Sequence, residues 1–440
     1  MPHPRATPDR CNVLLIGTGG REHALAWKMR QSSRLGDLWV EQDANAGLLE
    51  LGTPCPEPID VRSMFRTQRW CDRANIDLVV VGPEAPLEKD FATLLASDTR
   101  LVFGPTREGA RLEWDKAYAK QLMRSVAIPT AEGRIFDAYE MAEHYVQSRD
   151  APVVVKASGL AAGKGVFVCS TREEALGAID RLMRKREFGA AGAQVVVEER
   201  LQGQELSILA LVDGRTICVL DPCQDHKQVG EGDVGPNTGG MGAYCPTPLA
   251  DDALLDQIQR QILVPAIDGL RREGVTFRGV LYAGIMLTPA GPKVLEFNTR
   301  FGDPETQPLM ARLDGDLVEL LYATAAGTLD GVEYGFDPRT ACCVVVCAAG
   351  YPGPVTKDKP ISGLDVAGAM PDVRVFHGST ARSASGGVVT RGGRVVGVTA
   401  LGHDLLDARD KANAAAATVR FDGAFFRRDI GHRVLRTATA

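Results

Sequence analysis

Three unbroken apolar runs in the first 105 residues, VLLI (13–16), LVVV (78–81) and LVF (101–103), each stop at a glycine or a Gly-Pro pair. A strand without polar alternation must be covered on both faces, which is the habit of parallel sheets flanked by helices. The stop at Gly or Pro places the turn at the sheet's carboxyl edge. Between the runs come a helical pattern, REHALAWKMRQS, and a further strand, DLWVEQD. This rhythm predicts an α/β domain with a parallel sheet, whose ligands bind in loops at that edge.

A chain of 440 residues exceeds one hydrophobic core, so further domains follow. REGARLEWDKAYAKQLMRSVAIP reads as a helix with Leu112, Tyr118, Leu122, Met123 and Val126 on one stripe, stopped before Pro129. Strands are expected at VVVKA (153–157), VFVCS (166–170), QVVVEER (194–200) and ELSILALVD (205–213). The stretch KASGLAAGKGV (156–166) breaks the P-loop pattern, since only three residues separate Gly159 from Gly163 where four are required, and Gly165 follows Lys164. It leads from strand to strand instead of into a helix. Beyond residue 240 come a helix (DALLDQIQRQILVPAIDGLRREG), strands at GVLYAGIML and PKVLEFN, and a helix at LVELLYATAAG. The glycine-dense tail predicts a small α+β or barrel-like domain closed by a helix near 404–420. The resulting division is a disordered leader (1–10), an N-terminal α/β domain (11–110), a central domain (111–330) and a C-terminal domain (336–433).

A net charge of -6 with no long basic run makes nucleic acid a poor partner. The longest apolar runs, such as ACCVVVCAAG (341–350), reach about half of the ~20 residues a membrane span needs, and MPHPRATPDR lacks a signal peptide's apolar core. Ten cysteines form no CxxC pair, and Cys169, Cys342, Cys343 and Cys347 sit in strand-like runs as small hydrophobes, which suits a reducing cytoplasm. Cys218, Cys223, His226 and Cys245 are the one grouping to test as a zinc site; Cys218 in the alternating TICVL argues against it.

Three clusters could carry chemistry. Gly17-Thr18-Gly19-Gly20-Arg21-Glu22-His23 follows a strand and opens a helix, with Glu41 where a dinucleotide site has its ribose acid. Glu22 replaces the third glycine of that fingerprint, so the turn suits a phosphate monoester near Arg21, or is a plain turn with a capping Glu. In KVLEFNTRFGDPETQ (293–307), Glu296 and Asn298 alternate opposite Leu295 and Phe297, which sets two oxygen ligands about 6.5 to 7 Å apart on one strand face. They suit Mg²⁺, or are the exposed face of an edge strand. QDHKQVGEGDVGPNTGGMGAY (224–244) is either a surface loop or one that wraps a ligand, its Asn237-Thr238-Gly239-Gly240-Met241-Gly242 run offering backbone N–H groups to an anion. With Lys116, Lys156, Glu198, Glu199 and Glu205, a nucleoside triphosphate is the economical common ligand, with backbone groups of VVVEER at an adenine edge.

In this order, GGREHALAWK, DLVVVGPEAPL, KASGLAAGKGV, QDHK with GPNTGGMGAY, and EFNTRFGDPETQ resemble the phosphoribosylamine-glycine ligase (glycinamide ribonucleotide synthetase) family of ATP-grasp enzymes, over about residues 11 to 433. The resemblance implies an ATP-grasp fold with a mobile lid, about 129–195, in a cytoplasmic monomer. It implies ligation of glycine to 5-phosphoribosylamine with ATP, through a glycyl phosphate, in purine synthesis. ATP would meet Lys116, Lys156, Gly159, Gly163, Lys164, Gly165, Val197, Glu198, Glu199 and Glu205, and Mg²⁺ or Mn²⁺ would sit on Glu296 and Asn298. Substrates would meet Gly19, Gly20, Arg21, Glu22, Glu84, Asp225, Lys227, Asn237, Thr238, Gly239, Gly240, Arg300, Gly302, Asp303 and Glu305, with Arg300, Asp303 and Lys156 catalytic. The chain departs from the family at Ser158 where Asp is usual, Asp115 where Ser is frequent, Gln228 where Arg often follows QDHK, and Asp43-Ala44 in place of Pro-Gly before the NAG turn. Two readings compete: an ATP-grasp ligase for another acid or amine, and a nucleotide-binding regulator without turnover.

Overall fold

The computed structural model describes residues 6–161 and 164–437; Gly163 and the first five residues of the expected leader lie outside them. The N-terminal sheet is fully parallel, in the order Thr53–Pro54, Leu35–Val40, Cys11–Ile16, Leu78–Val81, Leu101–Phe103. Val13, Leu15, Leu78 and Val80 enter one core, while Leu14, Ile16, Val79 and Val81 enter another. The unbroken apolar runs are therefore buried on both faces. The strand order reverses beside Cys11–Ile16, which opens a crevice between the Gly17–Gly20 turn and Gly82–Glu84.

The single helix expected after residue 107 is two, Arg107–Trp114 and Lys116–Ser125. Asp115 separates them: its carboxylate accepts from Tyr118 N at 3.0 Å and caps the second helix. That helix packs Tyr118, Leu122 and Met123 against a four-stranded antiparallel sheet ordered Ile217–Val219, Gln204–Val212, Gly279–Thr288, Gly291–Asn298. A second four-stranded antiparallel sheet, ordered Gly133–Phe136, Val195–Glu199, Val153–Ala157, Val166–Cys169, has its own core of Val155, Ala175, Ile179 and Val197. KASGLAAGKGV joins two antiparallel neighbours in it, so the expected strand-to-strand flap is what the chain forms.

The expected simple alternation on Gly291–Asn298 does not hold. Gly284 pairs with Glu296 but Ile285 pairs with Val294, so Leu295 is an extra residue in a β-bulge. Val294 and Phe297 both enter the core, three apart, and Leu295 joins Glu296 and Asn298 on the cleft side.

The C-terminal sheet is open and antiparallel, ordered Gln224–Asp225, Gly242–Cys245, Thr340–Cys347, Arg394–Gly402, Val373–His377, with the helix Leu405–Ala416 laid on it through Ala408, Ala412 and Ala415. Both ends of the glycine-rich loop thus belong to a sheet completed by the C-terminal domain. Among the described residues no helix is long and apolar enough to cross a membrane.

Candidate active site

Between the two four-stranded sheets lies a cleft of about 540 Å³. One wall carries Lys156, Gly159, Leu160 and Ala161 of the flap strand, the other Met286, Leu295, Glu296 and Asn298. The flap is pinned at its root, where Ser158 N donates to Gln194 O (3.0 Å) and Gly159 N to Ala191 O (3.1 Å). Lys156 Nζ donates to Leu295 O at 2.8 Å, using the carbonyl that the bulge turns toward it, and pairs with Glu198 at 2.7 Å. Glu198 also binds Lys120 (2.6 Å), which is 1% exposed and bonded to Thr130 Oγ1 and Ala131 O. Lys116 lines the cleft, and among the described residues its ammonium has no hydrogen-bond or ion-pair partner.

Glu296 lies among cations. Burial pushes its carboxyl up, but Lys227, Lys116, Lys156 and Arg300 outweigh burial and hold it below its ordinary value, so it is anionic. Asn298 Oδ1 accepts from Arg300 Nη2 at 3.3 Å, with a second lone pair remaining. An anionic carboxylate and an amide oxygen on one strand face fit a hard divalent cation shared with phosphates.

Beyond that strand, Arg300 is held between Glu113 (3.0 Å) and Glu84 (3.4 Å). Burial works against the guanidinium's charge, and the two carboxylates reverse that effect. Glu305 Oε1 accepts from Tyr282 Oη (2.6 Å) and Ser207 Oγ (3.1 Å). Asp225 Oδ1 is buried without a hydrogen-bond partner among the described residues, and burial, then Glu305, raise its pKa well above the usual carboxylate range. Lys227 pairs with Glu205 at 3.2 Å.

Several residues stand differently from their sequence reading. Glu22 is buried between Gly17 and Gly82, where any Cβ would collide with its carboxylate. It accepts from Gly19 N (2.8 Å) and Arg21 Nε (2.6 Å), while Arg21 Nη1 donates to Phe301 O. The capped-turn reading holds for Glu22, and neither it nor Arg21 lines the cleft; Gly19 and Gly20 face Asp303 at its rim. Glu41 accepts from Gly17 N at 2.6 Å. Val197 lies in the core of the flap sheet with neighbours on both sides, so Arg200, Leu201 and Gln202 form the wall there. Glu198 spends its carboxylate on two lysines. Lys164 is exposed and outside the cleft wall, whereas Gly165 lines it. Gly302 is buried against Glu305, with no room for a Cβ.

In the run 237–242, expected as an anion nest, the N–H groups of 238 to 241 are already taken. Thr238 N donates to Lys227 O, Gly239 N to Tyr351 Oη, Gly240 N to Thr238 Oγ1 and Met241 N to His226 O, at 2.8 to 3.0 Å. Asn237, Thr238 and Gly239 still line the cleft, through side chains and carbonyls. Among the described residues no group of three or more His, Cys, Asp or Glu could hold a metal ion. Cys223 and Cys245 are buried, and His226 Nε2 accepts from Gly431 N at 3.0 Å. Glu113, Lys120, Tyr282, Tyr351 and Arg394 were not singled out from sequence; all five act across long sequence separations.

Sequence models of phosphoribosylglycinamide synthetase match in three consecutive stretches: its N domain over 11–113, its ATP-grasp (A) domain over 114–306 and its C domain over 341–433. The chain belongs to the phosphoribosylglycinamide synthetase family. A phosphoribosylamine–glycine ligase of Rhodopirellula baltica is 48% identical over 440 residues, covering 98% of this chain and 99% of that one. The human trifunctional purine biosynthetic protein adenosine-3 is 45% identical over 430 residues, 96% of this chain but 42% of the human protein. The crystal structure of a phosphoribosylamine–glycine ligase from Thermotoga maritima superposes with a TM-score of 0.80 at 32% identity, covering 95% of this chain and 100% of that one. A biotin carboxylase domain from Hydrogenobacter thermophilus shares the fold at 16% identity, covering 94% and 91%, with a TM-score of 0.70. Synthetase-family membership fits a cleft built of two antiparallel sheets closing on one another.

Proposed function

We propose that this chain is an ATP-dependent phosphoribosylamine-glycine ligase, forming glycinamide ribonucleotide, ADP and phosphate in purine biosynthesis. The observation that carries the reading is Glu296, whose carboxylate shares the cleft lining with Lys116, Lys156, Lys227 and Arg300 and has Lys227 Nζ 4.0 Å away. Four cations around one carboxylate make a site for a polyphosphate together with a divalent ion. Glu296 and Asn298 would hold Mg²⁺ or Mn²⁺, which would supply charge neutralisation for a phosphate-bearing substrate.

The chain's own groups act by placement and charge. Lys116 and Lys156 receive the nucleotide phosphates, with Glu198 and Leu295 O fixing Lys156. The flap covers the phosphates and excludes water. Glycine's carboxylate oxygen attacks the γ-phosphorus, the bond to the β,γ-bridging oxygen breaks, and ADP departs with that electron pair. The amine nitrogen of phosphoribosylamine then attacks the acyl carbon, phosphate leaves, and the proton lost by nitrogen leaves with it. Arg300 stabilises the charge on the transferring phosphoryl group, and the ionised Asp303 accepts a hydrogen bond from the amine. Asp225, Glu305, Lys227 and Asn237 orient glycine and the amine, with Gly19, Gly20 and Glu84 at the sugar-phosphate end.

On this reading residues 11–110 receive phosphoribosylamine, 111–330 carry ATP chemistry with a lid at about 129–195, and 336–433 complete the acceptor side. Nine buried cysteines and one partly buried, all free thiols, support a reducing cytoplasm. A monomer is expected, and light scattering checks it. With ATP and Mg²⁺, ADP should appear only when glycine and phosphoribosylamine are both present. Release indifferent to glycine would favour an ATP-grasp ligase for another acid, and a panel of small amino acids would find it.

A further inference from the structure

The C-terminal domain reaches the cleft through two side chains that the chemistry above does not use. Arg394, at the start of the Arg394–Gly402 strand, donates from Nη1 to Gly239 O at 2.7 Å and to Asp303 O at 2.6 Å. Its Nη2 lies 3.3 Å from the Asp303 carboxylate. The Tyr351 hydroxyl accepts from Gly239 N at 3.0 Å, so the Gly239 peptide is gripped on both sides from one domain. Gly240 follows with φ +112, and a Cβ there would collide with Pro304 and Asp225 Oδ1. One guanidinium therefore fixes the spacing between the glycine-rich loop and the 299–307 turn, and with it the distance between Asp225 and Asp303. Asp303 also accepts from Gln307 Nε2 (2.9 Å) and lies against Gly19 and Gly20, so three loops from distant parts of the chain meet at this point.

The distribution of these contacts is informative. All of them fall on the side of the cleft that holds Asp225 and Asp303, and none touches Lys116, Lys156 or the flap. Asp225 Oδ1 has no hydrogen-bond partner of its own among the described residues, and Gly240 packs directly against it. A fork that binds two carbonyls and a carboxylate at once has a geometry that lysine cannot reproduce.

We infer that Arg394 and Tyr351 are positioning residues for the acceptor half of the reaction: they hold the Gly239–Gly240 turn against Asp303 so that Asp225 and Asp303 face the incoming amine. The inference rests on the ligase reading above and extends it to a specific division between the two halves of the cleft. Misplacement by about 1 Å of groups that orient a reactant costs on the order of 100-fold.

The test compares parent, Arg394→Met, Arg394→Lys and Tyr351→Phe in steady-state kinetics for each substrate, with MgATP affinity measured separately by titration calorimetry. Arg394→Met should lower kcat/KM for phosphoribosylamine by about 100-fold, with MgATP Kd within about twofold of the parent. Arg394→Lys should recover less than about tenfold of that loss, because the charge returns without the fork. Tyr351→Phe removes one oxygen and leaves Gly239 N–H without its acceptor; a fall of about tenfold confined to the amine is expected. Folded variants with parental amine kinetics overturn the inference, as does a loss of MgATP affinity equal to the loss in amine kinetics. If Arg394→Met does not fold, Tyr351→Phe decides alone. A parent chain that releases no ADP in response to glycine and amine overturns the ligase reading instead, whereas an active parent with unaffected variants overturns only this inference.

Discussion

Ser158→Asp should destabilise the root of the flap, and exchanging Asp115 and Ser158 together should restore it. Ser158 Oγ donates to Asp115 Oδ1 at 2.9 Å and accepts from Ala117 N at 3.0 Å, while Lys116 N donates to Ser158 O at 2.9 Å. The pair ties the first turn of the Lys116–Ser125 helix to the strand that carries Lys156. Ser158→Ala leaves the buried Ala117 N–H without an acceptor, a cost of about 1 to 3 kcal/mol. Ser158→Asp sets two carboxylates where one hydrogen bond stood; at ~4 Å and an effective dielectric of about 20, their repulsion is on the order of 4 kcal/mol. If the central domain of about 200 residues unfolds as one unit, that corresponds to roughly 10 °C in Tm. The double exchange, Asp115→Ser with Ser158→Asp, again has one hydroxyl and one carboxylate, either of which can cap a helix. Its Tm should return to within about 3 °C of the parent, with MgATP affinity following the same order. An exchange variant melting as low as Ser158→Asp, or a Ser158→Asp variant melting with the parent, would refute the reasoning. With Ser and Asp at these positions in relatives, as the resemblance implies, the two departures at 115 and 158 would be one contact with its partners exchanged.

Further outcomes follow from the same geometry. Glu296→Gln should abolish ADP formation while the chain stays folded by circular dichroism, and retained activity would end the proposed metal role. Glu198→Gln leaves Lys120 and Lys156 facing each other, and thermal unfolding should show a loss of about 3 to 5 kcal/mol. Glu41 is pushed up to about 7, by burial first, against the lowering effect of the Gly17 N–H bond and with Asp43 and Glu22 adding to the rise. A folded-state carboxyl pKa above the unfolded value of about 4.5 means that stability declines as pH rises from about 4.5 to 7 and levels off above. The Tm of the parent should therefore fall relative to Glu41→Gln between pH 5.5 and 8, and parallel curves would contradict the assignment.

The N-terminal sheet was legible because its strands are buried on both faces, a condition that leaves no polar residue in Leu78–Val81. The flap was legible from what it lacks, a helix after its lysine. The break at Asp115 carried a signal in the sequence, an Asp before a helical stretch, but the apolar stripe continues through it and conceals it. The Leu295 bulge carried none, because an extra residue in a strand is visible only once Gly284 and Ile285 are its partners. Likewise, the N–H groups of 238, 239 and 241 looked available because their acceptors, Lys227 O, Tyr351 Oη and His226 O, come from elsewhere in the chain. Glu198 and Glu22 read as ligand-facing acids since a sequence shows charge without its counter-charge.

The sheet shared between the glycine-rich loop and the C-terminal domain sets a timetable. Tyr244 pairs with Cys342, so on a ribosome the acceptor loop emerges about a hundred residues ahead of the strand that completes it, a wait of roughly 5 to 20 s at ordinary elongation rates. During that interval Gly242–Cys245 is an open edge. A chain interrupted near residue 335 would keep every residue that lines the cleft but present an unpaired strand, the kind of edge that recruits other chains.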